Sequence, residues 1–175
     1  PAMPACWKAN GRGVDLNRNY PCLFAEKQSA VLTPSAEGYK GPFAASEAET
    51  RAIMRWAWEG RFRWAITLHA KGEEILYADA ASPRVTQAAR KLAEAAARVC
   101  GYALAPISCD AKKFGAGFEN WFRLSLGRPC LLFELAPYDG PLPCSMADFA
   151  AKVWPKMRGV ITALEFAGRQ TRKNC

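Results

Sequence analysis

Histidine is nearly absent: His69 is the only one in 175 residues. One histidine cannot make a zinc site, because three protein ligands are the usual minimum, so this chain alone does not support a metal. The seven cysteines, Cys6, Cys22, Cys100, Cys109, Cys130, Cys144 and Cys175, contain no Cys-x-x-Cys pair. That argues against thiolate zinc knuckles. Their odd number and irregular spacing fit buried free thiols in a reducing compartment, which leans towards the cytoplasm. No apolar run reaches membrane length, and no signal peptide or lipid anchor pattern is present, so no membrane partner is expected. The GxGxxG order and the P-loop Lys-Ser/Thr are missing, which weakens a nucleotide reading.

What is present is ordinary globular material, 50% hydrophobic and 23% charged. That composition is enough for one domain with a core. The net charge of +8 admits nucleic acid, an anionic surface or anionic small substrates. The basic residues are scattered, so anionic substrates are expected and nucleic acid is not. The one cluster, Arg169, Arg172 and Lys173, reads as a solvated end. Residues 1–167 are expected to form one domain or the C-terminal portion of one, and 168–175 a basic tail. The chain opens on Pro1 and is already motif-dense by Trp7, so its start is expected to lie in mid-fold.

Strands and helices alternate. Val14-Asp15-Leu16 reads as a short strand end, and residues 22–45 as a long loop. Ser46-x-x-Glu49 has the form of a capping box opening a helix to about Trp58. Trp64 to His69 and Cys130 to Leu135 are apolar runs of strand length, expected to be buried strands. Glu74 to Tyr77 is a further short strand. Ser82-Pro83 starts an Ala-rich helix that Gly101 ends. Phe118 to Leu126 reads as a short helix. Ser145-x-x-Asp148 opens the last helix, to about Phe166, with a kink at Pro155. The alternation predicts an α/β fold with a mixed, largely parallel sheet flanked by helices.

Four places carry candidate chemistry. In Gly13 to Pro21, Asn17 and Arg18 follow a strand end, and an arginine fork suits a carboxylate. An exposed arginine in a turn is the plainer reading. His69 ends a strand and is either structural or a metal ligand. Glu134 sits inside Leu131-Leu132-Phe133-Glu134-Leu135, where a carboxylate is costly unless it is paired or used. It is either a general base or the partner of an arginine. Phe114 to Trp121 is a Gly-rich turn into a helix, either an anion site or a packing turn.

The order of these pieces resembles the M14 family of zinc carboxypeptidases. Gly13-Val14-Asp15-Leu16-Asn17-Arg18-Asn19-Tyr20-Pro21 is similar to that family's substrate-carboxylate motif. Gly41-Pro42 and Ser46-x-x-Glu49-Thr50 resemble its next segment, and Leu68-His69 resembles its third zinc ligand. Gly117-Phe118-x-x-Trp121 with Phe133-Glu134-Leu135 resembles its catalytic glutamate segment. Trp7-Lys8-Ala9-Asn10 and the loop around Arg12 look most like bacterial γ-D-glutamyl-diaminopimelate peptidases.

The resemblance implies roles. Arg18 and Asn17 would bind the substrate's terminal carboxylate. His69 would be one zinc ligand, and Glu134 the general base and then the general acid. Lys8 or Arg12 would support the oxyanion. Lys112 falls where the family often has a mobile Tyr, and Glu119 falls at the floor of the specificity pocket. An acidic floor suits diaminopimelate or a basic terminal residue, so a peptide or murein peptide is the implied substrate.

The main departure is that the family's upstream His-x-x-Glu ligands do not occur in this sequence. The zinc site is therefore expected to be incomplete, the isolated chain inactive, and a missing N-terminal segment its partner. Loss of the family's first strands would also expose sheet edge. The alternative reading is a non-catalytic module that grips carboxylate-bearing cell-wall peptides through Arg18.

Overall fold

The structure, a computed structural model, describes residues 7–79, 83–107, 110–139 and 145–170. Its four-stranded sheet has the order β1-β4-β2-β3. The strands are β1 (Ala65–Lys71), β2 (Glu74–Leu76), β3 (Ala103–Leu104) and β4 (Cys130–Ala136). β1 pairs with β4 in parallel, as does β2 with β3, while β2 and β4 are antiparallel. The mixed, largely parallel sheet is therefore as the alternation predicts.

β4 is central and buried along its first four residues, which is why it reads as a continuous apolar run. β1 corrects the expectation of a buried strand. It lies at the edge of the described sheet with one neighbour, and Leu68 is 57% exposed.

The longest helix, α2 (Pro83–Cys100), follows a stripe of Val85, Ala89, Leu92, Ala93, Ala96 and Cys100. This spacing lays one apolar face on the sheet. There Ile75, Leu131 and Phe133 form the main core with Val160 and Leu164 of α7 (Val160–Gln170). Gly101 takes a φ of +74°, the left-handed conformation that ends a helix cheaply. A second cluster joins Tyr20, Ala57 of α1 (Ala48–Glu59), Trp121 and Phe122 of α4 (Phe118–Leu124), and Cys130. The short α3 (Ala111–Phe114) precedes α4.

Several local expectations are corrected. Val14 to Leu16 is not a strand: Asp15 makes a single bridge to Ala9, and Leu16–Arg18 is a 3-10 turn. The Ser46 capping box does not form. Glu47 is the N-cap of α1 without a side-chain cap, because a buried network occupies the Ser46 hydroxyl. The last helix is segmented into α5 (Met146–Asp148), a π turn (Phe149–Val153), α6 (Trp154–Met157) and α7. Pro155 lies in the first turn of α6. Proline has no N–H to give and its ring crowds the preceding turn, which accounts for the wider π turn there. α7 continues to Gln170, beyond Phe166. Ser82, Cys6, Cys109, Cys144, Cys175, Arg172 and Lys173 lie outside the described residues. No helix among the described residues is long and apolar enough to cross a membrane.

Candidate functional site

Parallel pairing of β1 and β4 places His69 and Glu134 at matching register positions near the ends of the two strands. His69 Nδ1 lies 4.0 Å from Glu134 Oε1, beyond hydrogen-bond range. The other carboxylate oxygen, Oε2, accepts the backbone N–H of Lys71 at 2.9 Å. Glu134 is thus oriented by the backbone and keeps an oxygen free towards His69. Gly72 makes room for it: a Cβ there would stand 2.8 Å from Glu134 Cβ. The antiparallel register sets Glu74 beside Glu134 on its other side, a neighbour the sequence reading missed.

Asn17 reaches the same place from the other end of the chain. Its Oδ1 accepts the N–H of Phe118 at 2.9 Å, and its Nδ2 lies 3.5 Å from His69 Nε2. The amide so fixed turns its Nδ2 towards the Nε2 face of the imidazole, while Nδ1 faces Glu134. The first turn of α4 is filled by Asn17 and by Asn120, whose Oδ1 accepts from Gly117 N–H. The Gly-rich approach is a packing turn. Tyr20 N–H donates to Ala116 O and Ala116 N–H to Cys22 O, which zips residues 20–22 onto it. Tyr20 packs edge-on against Phe118 at 5.6 Å.

Arg18 follows Asn17 in the 3-10 turn, which Asp15 caps by accepting from Asn17 N–H. Its Nη1 donates to the Asn17 carbonyl at 2.8 Å. Among the described residues no carboxylate forms an ion pair with it. A guanidinium so placed, half-buried and in no ion pair with a described carboxylate, suits a carboxylate from outside.

The backbone beside this clamp is held from within. Asn19 is buried and donates to Lys40 O, Phe43 O and Ser46 Oγ. Ser46 Oγ donates to Glu47 Oε1, and Asn10 Nδ2 donates to Glu47 Oε2, both at 2.8 Å. Gly41, at a φ of +87°, admits this packing, since a Cβ there would stand 2.6 Å from Ser46 Oγ. Glu47 is only 1% exposed. Burial opposes its charge, but the bonds from Asn10 and Ser46 and the charges of Arg12 and Arg51 prevail. They hold its carboxyl below the ordinary range. Neither Glu47 nor Asn19 was singled out from the sequence. The one signal, the Ser-Glu pair, reads equally well as a helix start.

The remaining candidates spread outward. Glu119, next to Phe118 on α4, is buried, and its Oε2 has no hydrogen-bond partner among the described residues. Burial first, and the Glu119 charge second, push the Tyr20 hydroxyl far above its ordinary pKa. Lys112 lies exposed on α3. Lys8 pairs with Glu37 at 2.9 Å, and Arg12 with Glu47 at 3.5 Å. Among the described residues no hydrogen bond or ion pair links Lys8, Arg12 or Lys112 to His69 or Glu134. The structure therefore brings together Asn17, His69 and Glu134, with Arg18 following Asn17 in the 3-10 turn and Glu119 one residue beyond the Asn17 contact. Among the described residues no three His, Cys, Asp or Glu side chains come together as a metal site.

Comparison with known proteins gives a consistent pattern. The family model described as Peptidase_M14, zinc carboxypeptidase, matches residues 5–127. Gamma-D-glutamyl-L-diamino acid endopeptidase 1 of Lysinibacillus sphaericus is 31% identical over 144 residues, 81% of this chain and 35% of that protein. The uncharacterized protein YqgT of Bacillus subtilis is 31% identical over 139 residues, covering 78% of this chain and 36% of its own length. The chain thus spans about a third of these relatives. Among solved structures, murein-tripeptide amidase MpaA from Escherichia coli O157 superposes with a TM-score of 0.57 at 21% identity. The match covers 91% of this chain and 60% of that one. Bovine thrombin-activatable fibrinolysis inhibitor, in complex with tick carboxypeptidase inhibitor, gives 0.64 at 17% identity, covering 96% of this chain and 60% of its own. At these identities the two structures speak to the fold.

Proposed function

Because the chain belongs to the Peptidase M14 zinc carboxypeptidase family, we propose that the whole protein hydrolyses a peptide or isopeptide bond beside a residue with a free carboxylate. A murein peptide ending in diaminopimelate or another amine-bearing residue is the proposed substrate class. The observation that carries this reading is the convergence of Asn17, His69 and Glu134 at one end of the β1–β4 pair. The relative named gamma-D-glutamyl-L-diamino acid endopeptidase 1 supports the substrate class.

Each residue has a distinct task. The Arg18 fork receives the terminal carboxylate, and the 3-10 turn capped by Asp15 holds it in place. Glu134, fixed through Oε2, takes a proton from the attacking water at Oε1 and returns it to the leaving amine. The unpartnered Glu119 Oε2 receives the distal amine of the substrate.

Zinc is the family's cofactor and supplies Lewis-acid chemistry when bound. The residues present do not fit it by themselves, since His69 is the only histidine and, among the described residues, no group of three ligands forms around it. We therefore place the remaining ligands on polypeptide outside these 175 residues. The deciding experiment is hydrolysis of L-Ala-γ-D-Glu-diaminopimelate by the intact protein, with and without chelator. Release of free diaminopimelate that stops on chelation and returns with zinc is expected. An intact, zinc-loaded protein that leaves the peptide uncut but still binds it would establish the carboxylate-binding module instead.

A further inference from the structure

A cleft of about 330 Å³ opens at the other end of the same two strands. Arg61, Arg63, Arg84 and Arg128 line it, together with Val85 and Pro129. Arg61 and Arg63 precede β1, Arg128 precedes β4, and Arg84 lies in the first turn of α2. From Ala65 to His69 the strand rises about 13 Å, which separates this cleft from the His69–Glu134 end of the pair.

Among the described residues nothing acidic lines it. None of the four arginines forms an ion pair with a described carboxylate. The adjoining depression shares Arg61 and Arg63 and adds Phe62, Trp64 and Glu165. That one carboxylate is paired with Arg169 at 3.9 Å. Four arginines around one concavity give it a local excess of positive charge. Two further details show how they are held. Arg128 Nη1 donates to Phe62 O at 3.1 Å, which fixes one guanidinium at the wall. Arg61 takes a φ of +48°, the left-handed conformation at a helix end where glycine is the cheap choice.

We propose that this cleft binds a soluble phosphate-bearing anion, a pyrophosphate group matching its charge best. Arginine's planar fork meets two oxygens of a phosphate at once. A single carboxylate would engage one fork and leave three positive charges unopposed. The small concave volume suits a compact anion, in contrast to an extended nucleic-acid backbone.

The test is a thermal melt of the full-length protein against sodium pyrophosphate, with sodium chloride at matched ionic strength as the control. Pyrophosphate is expected to raise Tm saturably, and chloride to leave it unchanged. Arg61→Gly combined with Arg84→Gln removes two forks and relieves the backbone at position 61. Its starting Tm is therefore expected to equal or exceed that of the parent, while pyrophosphate binds about tenfold more weakly or worse. Arg63→Gln is the second variant, at an exposed side chain, and is expected to weaken binding in the same direction. Flotation with phosphatidic acid vesicles separates a lipid headgroup from a soluble ligand; the protein is expected to stay unbound. A pyrophosphate effect no larger than that of chloride, variants that bind as well as the parent, or capture by vesicles would each overturn the proposal.

Discussion

Asn17 accepts the backbone N–H of Phe118 at 2.9 Å while its amide nitrogen faces His69 Nε2. One side chain therefore sets both the first turn of α4 and the orientation of the imidazole. Asn17→Asp keeps the acceptor for Phe118 and removes the donor facing His69; Asn17→Leu removes both. In the intact protein the Asp variant should melt like the parent and lose about tenfold in kcat/KM. The Leu variant should lose in addition about 1–2 kcal/mol of stability in a urea titration.

Glu134→Gln should fold normally, because the amide oxygen can still accept from Lys71 N–H. Turnover of the diaminopimelate peptide should fall by about 10²- to 10⁴-fold with little change in KM. A variant that retains turnover would remove Glu134 from the role of base.

Arg18→Lys keeps the charge and loses the fork. KM should rise about tenfold or more while kcat holds. The informative comparison is a substrate amidated at its terminal carboxylate. The parent should discriminate strongly against the amide, and the variant only weakly.

Glu47 makes stability depend on pH in a stated direction. Its folded carboxyl titrates below the ordinary value of 4.5. The stability it contributes is then complete above about pH 4.5 and is lost as pH falls through the folded value. Glu47→Gln places an NH₂ against Asn10 or Ser46 and should cost about 1–3 kcal/mol at neutral pH. The gap between the urea midpoints of parent and variant should close as the pH is taken below 4.5.

Cys22, Cys100 and Cys130 are free and buried. Burial first, then the charges of Asp79 and Glu26, pushes the Cys22 thiol up to about 11. Burial likewise raises Cys100 and Cys130. Since the thiolate is the reactive species, all three should resist a disulfide reagent at pH 8 in the native protein. They should be labelled once guanidinium unfolds it, as peptide mapping would show.

Much of this was legible in the residues. The apolar runs before His69 and around Leu131 announce two strands, and Pro83 and Gly101 bracket α2, because these signals are local. Asn17, Arg18 and His69 were also marked by their chemistry, as polar groups at the ends of apolar segments, and Glu134 as a carboxylate inside one. What escaped depends on contacts made across the chain. β1 reads as buried, yet its place at the edge of the described sheet is decided by which strands flank it. Ser46 has the local grammar of a helix cap, and Asn19 with Glu47 takes its hydroxyl instead. β3 is two residues long and exists only through its pairing with β2. The pairing of Lys8 with Glu37 and of Arg12 with Glu47 spans loops and has no local signature either. The buried pair of Arg123 and Asp79, at 3.0 Å, likewise has no local signature.

The contacts that build the site join residues far apart in the chain: 52 positions for Asn17 and His69, 63 for Lys71 and Glu134, and 101 for Asn17 and Phe118. Loop-closure entropy must be spent before any of them is rewarded, which places their formation late in folding. No hairpin or single helix presents a partial version of the centre. In a refolding experiment, helical circular dichroism should therefore recover ahead of the ability to bind a carboxylate ligand, the latter waiting on the parallel β1–β4 pairing.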